Sequence, residues 1–435
     1  MDYMIMIICL VIAIICAGKD KRNIANPALA FMGIWLLTIY LSKLRLYGLL
    51  DVSNDIYNVL INGYYSFFIG YLVARLYSIS PVRFRISKKI SKGNNSTIRY
   101  SFIYILAIVC IIYFIPNTLV AGKSLLSGTS LGNIRVIAQN STGSSSIMNM
   151  IYNLVVLPSA TALEVIAVAD FWVGKKDKKL FYLNLVVILM RCVSDGGRTP
   201  LFNFAIYMIV GYVVLPKTDK MFVYRYIKKK KKLLYLYGGI GICLLMIMTF
   251  SRASRSELES VLRQLYFYFS MSPVLFSRWK SIVDSVDINT YGLTSLNGVF
   301  FTGMYLLRNM FGLPYPELLM NSYNLISQTD SIWQTIAQGG IHANAYVSAY
   351  WFFYVDGRKF GIILGMFLYG LVVSNTFFNL NKEFNIVRYS VYLLLYQGLF
   401  FSFIRFPFAK MYYVLGLVII ILFAFKRSER KERND

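Results

Sequence analysis

Ser251-Arg252-Ala253-Ser254-Arg255 follows directly on the apolar run 233–250. It opens the one long segment of this chain that reads neither as a membrane span nor as a short connector. That segment, 251–341, closes at Gly339-Gly340-Ile341-His342-Ala343-Asn344, where the single histidine of the chain stands. On both sides the sequence is hydrophobic. Of 435 residues 57% are hydrophobic and 15% charged, whereas a soluble domain carries about a quarter charged. Apolar runs of about twenty residues recur, each able to cross a hydrocarbon core of ~30 Å. The expectation is an all-α, polytopic membrane helix bundle. It forms one integral membrane domain, 1–435, with 251–341 as a large extracytoplasmic loop inserted in it.

Eleven spans are expected, at 4–17, 27–49, 57–77, 100–121, 149–172, 181–194, 200–215, 233–250, 360–378, 389–405 and 409–425. The basic residues then fall on alternate connectors. Seven lie in Arg75–Arg99, four in Lys175–Lys179, eight in Lys217–Lys232 and five in the tail from Lys426. In all, 29 of the 45 Lys and Arg lie on one side, which the positive-inside rule makes the cytoplasm. The first run has no basic residue before it and Lys19, Lys21 and Arg22 after it, the reverse of a cleavable signal. The N-terminus is therefore expected outside the membrane and the C-terminus in the cytoplasm. The formal charge of +25 reads as topology signal rather than as a nucleic-acid surface, because no basic face interleaves with stacking aromatics outside the spans. The five cysteines all lie in or at the ends of apolar runs, with no C-x-x-C. They read as small buried hydrophobes and imply no disulfide framework or metal site.

The chemistry-bearing residues gather on the outer side. Its basic residues are mostly arginine, among them Arg135, Arg198, Arg252, Arg255, Arg278 and Arg405. A guanidinium fork grips phosphate oxygens in pairs and stays charged. Solvated loop charge, or pairing with Glu257, Glu259, Asp284, Asp287, Glu317 or Asp330, is the bland alternative for each. Arg198 stands in Ser194-Asp195-Gly196-Gly197-Arg198-Thr199-Pro200, between two spans. There the glycines allow backbone N–H groups to approach an anion, Pro200 opens the next helix, and Asp195 is placed to orient the guanidinium; an ordinary hairpin capped by an Arg–Asp pair is the alternative. His342 could take a proton from a sugar hydroxyl, or it could be a hydrogen-bonded loop residue. After it, Tyr346, Tyr350 and Phe353 fall on one helical face, as an interfacial helix or a sugar platform requires. Nucleotide-binding, zinc-protease and nucleophile-elbow motifs are absent, and no cofactor or metal is implied.

These residues bring a family into view. The Ser194–Arg198 turn resembles the small-polar-Arg turn of bacterial O-antigen and capsule repeat-unit polymerases (the Wzy type). His342-Ala343-Asn344, the aromatics after it and Asp356-Gly357 before a span are similar to the segment that follows the large outer loop in those enzymes. Where the family pattern has Asp-Phe-Gly, this chain has Asp356-Gly357-Arg358-Lys359-Phe360-Gly361. The resemblance implies transfer of a growing glycan from undecaprenyl diphosphate to a hydroxyl of the next lipid-linked unit. His342, Arg198 and Asp195 would be catalytic, and Arg135, Arg198, Arg252, Arg255 and Arg278 would bind the diphosphate. Tyr346, Tyr350 and Trp351 would stack on sugars. The implied partners are the undecaprenyl-diphosphate-linked oligosaccharide, membrane lipids, and a chain-length regulator and flippase of the same pathway. A lipid-linked oligosaccharide flippase or other transporter, an O-antigen ligase-like transferase and a non-enzymatic scaffold are the competing readings. A transporter predicts short outer loops and charged residues in mid-span, whereas this chain has the long loop 251–341 and few mid-span charges apart from Arg191 and Glu164.

Overall fold

The computed structural model describes residues 2–18, 23–79, 96–127, 146–216 and 258–427. Six of its helices are long and apolar enough to cross a membrane: Pro27–Leu44, Asn54–Ile79, Tyr100–Ser124, Met148–Trp172, Ser348–Lys382 and Ile386–Phe403. Met4–Gly18, Thr199–Val214 and Met411–Phe423 are shorter apolar helices. Each of these segments overlaps a run expected to span. The run 181–194 is helical within Lys178–Ser194, and 233–250 lies outside the described residues, as do Cys243 and the basic stretch Lys217–Lys232. The chain is a helical membrane protein, as its apolar runs predict.

The fold divides into two compact units. The first comprises Met1–Val82, Leu262–Lys382 and Leu395–Val414; the second comprises Arg83–Val261, Glu383–Leu394 and Leu415–Asp435. In the first, helix Ser348–Lys382 lies along Asn54–Ile79. Their approach depends on a reciprocal pair of glycines. A Cβ on Gly70 would stand 2.2 Å from the Phe367 carbonyl oxygen, and one on Gly370 2.3 Å from the Phe67 carbonyl oxygen. Small residues let membrane helices come this close, so that packing replaces the hydrophobic drive that lipid cannot supply. Phe31 stacks on Phe67 at 3.8 Å beside the crossing. Asn26 caps the neighbouring helix Pro27–Leu44 by accepting from the Ala28 N–H at 2.9 Å, with Pro27 opening the helix.

The long helix is interrupted at Gly357 and Arg358, the latter at φ 55°. Ser348–Asp356 is thereby a separate, wholly buried helical stretch. Asp356 anchors it. Its carboxylate accepts from the Thr290 hydroxyl at 2.6 Å, the Thr294 N–H at 2.9 Å and the Ser295 N–H at 3.0 Å.

Over its described part the expected outer loop is a folded helical layer. Helices Leu258–Ser270, Ser272–Val286, Asn297–Phe311 and Glu317–Ser331 lead into a hairpin, Gln334–Ala337 with Ile341–Ala343. Ser272–Val286 buries Leu275, Phe276, Trp279 and Val283 against the first unit's long helices. That apolar face explains why the segment packs down instead of looping out.

In the second unit, Tyr100–Leu126, Leu157–Trp172, Lys178–Ser194 and Thr199–Val214 pack together. Strand Ser96–Ile98 pairs antiparallel with Phe425–Arg427. Leu157–Trp172 is buried almost all round, and a π-helical turn, Tyr152–Val156, precedes it.

Candidate functional site

The first unit carries His342 on a rigid mount. Gly339 and Gly340, at φ 77° and 73°, make the turn of the hairpin. Thr335 pairs with His342 in its register. The hairpin is held to the chain after Pro27–Leu44: the Leu50 N–H donates to the Ile336 carbonyl at 2.9 Å and the Gln338 N–H to the Gly48 carbonyl at 2.8 Å. His342 is exposed. Its Nδ1 lies 3.2 Å from the Thr335 hydroxyl. The tautomer in which Nδ1–H donates to that hydroxyl leaves Nε2 as the basic nitrogen. Nε2 has no hydrogen-bond partner among the described residues.

Immediately after His342 the backbone is strained. Ala345 and Ser348, neither of them glycine, stand at φ 68° and 70°. Such residues cost about 1–3 kcal/mol each and persist where surrounding contacts over-determine them. Here the contacts are visible. The Ala345 N–H donates to the Thr329 carbonyl at 2.8 Å, and the Ser348 N–H to the Ile404 carbonyl at 2.9 Å. Arg405 Nε donates to the Ala345 carbonyl at 3.0 Å, and the Asn344 side-chain amide donates to the Asp330 carbonyl.

Arg405 belongs to a cation cluster in the connector 404–410. Its Nη2 donates to the Thr329 hydroxyl at 2.8 Å and pairs with Asp330. Lys410 Nζ meets the other oxygen of the same carboxylate at 3.0 Å. Two cations thus share one anion. The Arg405 Nη1 is buried with no hydrogen-bond partner among the described residues.

The sugar platform expected from Tyr346, Tyr350 and Trp351 is not formed. The helix begins at Ser348, so Tyr346 precedes it and shares no helical face with Tyr350. Tyr350 and Trp351 are fully buried: Tyr350 meets Trp35 edge-on at 4.4 Å, and Trp351 meets Trp279 at 6.2 Å. Periodicity placed these rings correctly on a helix but could not tell a core face from an open one. Tyr346 is half-buried and lies 5.8 Å from Tyr268. Arg278 is exposed on helix Ser272–Val286.

Arg198 and Asp195 belong to the second unit. The two glycines beside them serve the preceding helix rather than an anion. The Gly197 N–H donates to the Cys192 carbonyl at 3.1 Å and the Gly196 N–H to the Val193 carbonyl at 3.4 Å, with Gly196 at φ 55°. This is the double bond of a Schellman C-cap, which uses the donors expected to face a ligand. Asp195 is drawn inward to Arg191 at 3.5 Å and to the Tyr152 hydroxyl at 3.1 Å, where sequence had it orienting Arg198. Arg191 also lies 3.5 Å from the buried Glu164. The Arg198 guanidinium stands 5.9 Å from the centre of the Phe202 ring. Arg135, Arg252 and Arg255 lie outside the described residues.

Sequence reasoning passed over Thr335 and Lys410, named Asp330 only as one pairing partner among several, and left Arg405 as one outer arginine among several. The signal for Arg405 and Lys410 was present: they bracket a short break, Phe406–Ala409, between apolar runs. Among the described residues no group of His, Cys, Asp or Glu could hold a metal ion. No protein-family model, no curated protein and no solved structure matches the chain.

Proposed function

We propose that this protein polymerises oligosaccharide repeat units carried on undecaprenyl diphosphate, of the O-antigen or capsule kind, at the outer face of a bacterial cytoplasmic membrane. In this reading the chain crosses eleven times with its N-terminus outside. The hydroxyl oxygen of the incoming unit attacks the anomeric carbon of the growing glycan. The bond from that carbon to the diphosphate breaks, and its electron pair leaves with undecaprenyl diphosphate. The hydroxyl proton passes to His342 Nε2 and from there to solvent. A diphosphate is a good leaving group when cations neutralise it, so the reading calls on no nucleotide. Arg198, Arg135, Arg252, Arg255 and Arg278 remain the candidates proposed from sequence for holding charge on the lipid-linked units.

One observation carries the reading: the only imidazole of the chain is exposed, braced at Nδ1 by Thr335, and followed at once by a strained segment that Arg405 grips. A general base needs this combination of access and fixed tautomer. A flippase is the second reading, and the buried contact of Arg191 with Glu164 favours it, since charge inside a membrane bundle marks transport pathways.

The test is the surface-glycan ladder of a strain carrying His342→Ala, with Thr335→Val and Thr335→Ser beside it. Loss of the base should cut chain extension about 10²–10⁴-fold, leaving membrane levels of the protein and single-unit products intact. Thr335→Val should shorten the chains and Thr335→Ser restore them. A full-length ladder in His342→Ala contradicts the polymerase, and loss of even the single-unit product points to the flippase.

A further inference from the structure

The cation cluster at the connector 404–410 has more positive charge and more donors than its own partners use. A guanidinium offers five N–H donors. On Arg405, Nε and Nη2 are engaged by Ala345, Thr329 and Asp330, whereas Nη1 is buried without a hydrogen-bond partner among the described residues. Leaving a buried charged donor unmet is costly. Lys410 adds a second cation, and the one carboxylate between them leaves a net positive charge.

The three groups are not equally fixed. Arg405 is held to a backbone carbonyl and a hydroxyl, and its side chain is only 12% exposed; the Asp330 side chain is 45% exposed. The carboxylate is the more accessible partner of the pair and the guanidinium the more enclosed. The two residues following the helix that carries Asp330, Ile332 and Trp333, are large, apolar and exposed. Tryptophan is enriched at membrane–water interfaces.

We propose that Arg405 and Lys410 form the binding site for the diphosphate of a lipid-anchored ligand, with Asp330 as a resident competitor that the ligand displaces. This deepens the polymerase reading and rests on it for the identity of the lipid. A diphosphate brings more negative charge than one carboxylate and enough oxygens for both cations and for Nη1. The ligand's tail would remain in the bilayer at the level of Trp333.

The test uses the full-length protein in detergent micelles, with farnesyl diphosphate, inorganic pyrophosphate and farnesol as probes in a titration. Farnesyl diphosphate should bind more tightly than pyrophosphate, and farnesol should not compete. Removing the competitor in Asp330→Asn should tighten farnesyl diphosphate binding about tenfold, and Lys410→Met should weaken it about tenfold. Neither variant touches the contacts that Arg405 makes with Ala345 and Thr329, so both keep the test open if Arg405→Gln does not fold. Unchanged affinity in both variants, or weaker binding in Asp330→Asn, overturns the site. Equal affinity for pyrophosphate and farnesyl diphosphate overturns the lipid-anchored identity. Binding that behaves as expected, alongside a normal glycan ladder in His342→Ala, upholds this site and removes the polymerase reading.

Discussion

Asp356 offers the sharpest test of how the first unit is assembled. Its carboxylate takes three hydrogen bonds from the segment 290–295, two of them from backbone N–H groups. Thr290 and Thr294 are fully buried, and Ser295 and Asp356 nearly so. Water cannot replace what is removed. Asp356→Ala would leave two buried N–H groups unmet at about 1–3 kcal/mol each, or ~4 kcal/mol together. Asp356→Asn is a milder change. Its carbonyl keeps the Thr290 and Thr294 bonds, but its amide NH₂ then faces the Ser295 N–H, donor against donor. The loss is one charge-assisted bond, about 1.5–3 kcal/mol. The expected order of stability is therefore parent, Asn, Ala. The assay is the apparent unfolding temperature in detergent, followed by tryptophan fluorescence at one fixed scan rate, because such unfolding is governed by rate. For ~4 kcal/mol the Ala variant should unfold roughly 5–10 °C early. If both variants unfold with the parent, Asp356 is not an anchor and the interruption at Gly357 needs another explanation.

Two further predictions concern the same unit. Gly370→Ala should strongly destabilise the protein, since its Cβ would strike the Phe67 carbonyl at 2.3 Å; Gly33→Ala, with nothing within 4 Å, should be neutral. Equal unfolding temperatures for the two variants would refute the close crossing. Asp284 receives Lys280, the Tyr354 hydroxyl at 2.6 Å and Arg358 at 3.1 Å. Burial works to raise its pKa, but these partners outweigh it and hold the carboxyl below its ordinary value. Its stabilising effect is thus present above the ordinary carboxylate range and fades as pH falls through the lowered value. The group is more than a third exposed, so screening limits the effect to below about 1 kcal/mol. The gap in unfolding temperature between the parent and Asp284→Asn should close between neutral and acid pH, and a gap independent of pH would contradict the ion pairs.

What was legible in the sequence follows the physics of each signal. Apolar length is a local property, and the helices it predicts are present wherever the chain is described. Contact between elements distant in sequence is not local, and there the reading failed in instructive ways. Tyr350 and Trp351 carry the same aromatic pattern whether they face sugar or core; only the partners Trp35 and Trp279, hundreds and tens of residues away, decide for the core. The Gly196-Gly197 pair promised donors for an anion, yet a helix end needs donors for its own carbonyls, and that nearer demand was met first. The same reasoning separates the two arginines. Arg198 stood in a motif and drew attention, while Arg405 stood in none. Yet Arg405 has the backbone anchor, the second cation and the unmet buried donor. A motif reports spacing along the chain, whereas an anion site requires charge in excess of its local partners. That excess becomes countable only when Thr329, Asp330, Ala345 and Lys410 are seen around one guanidinium.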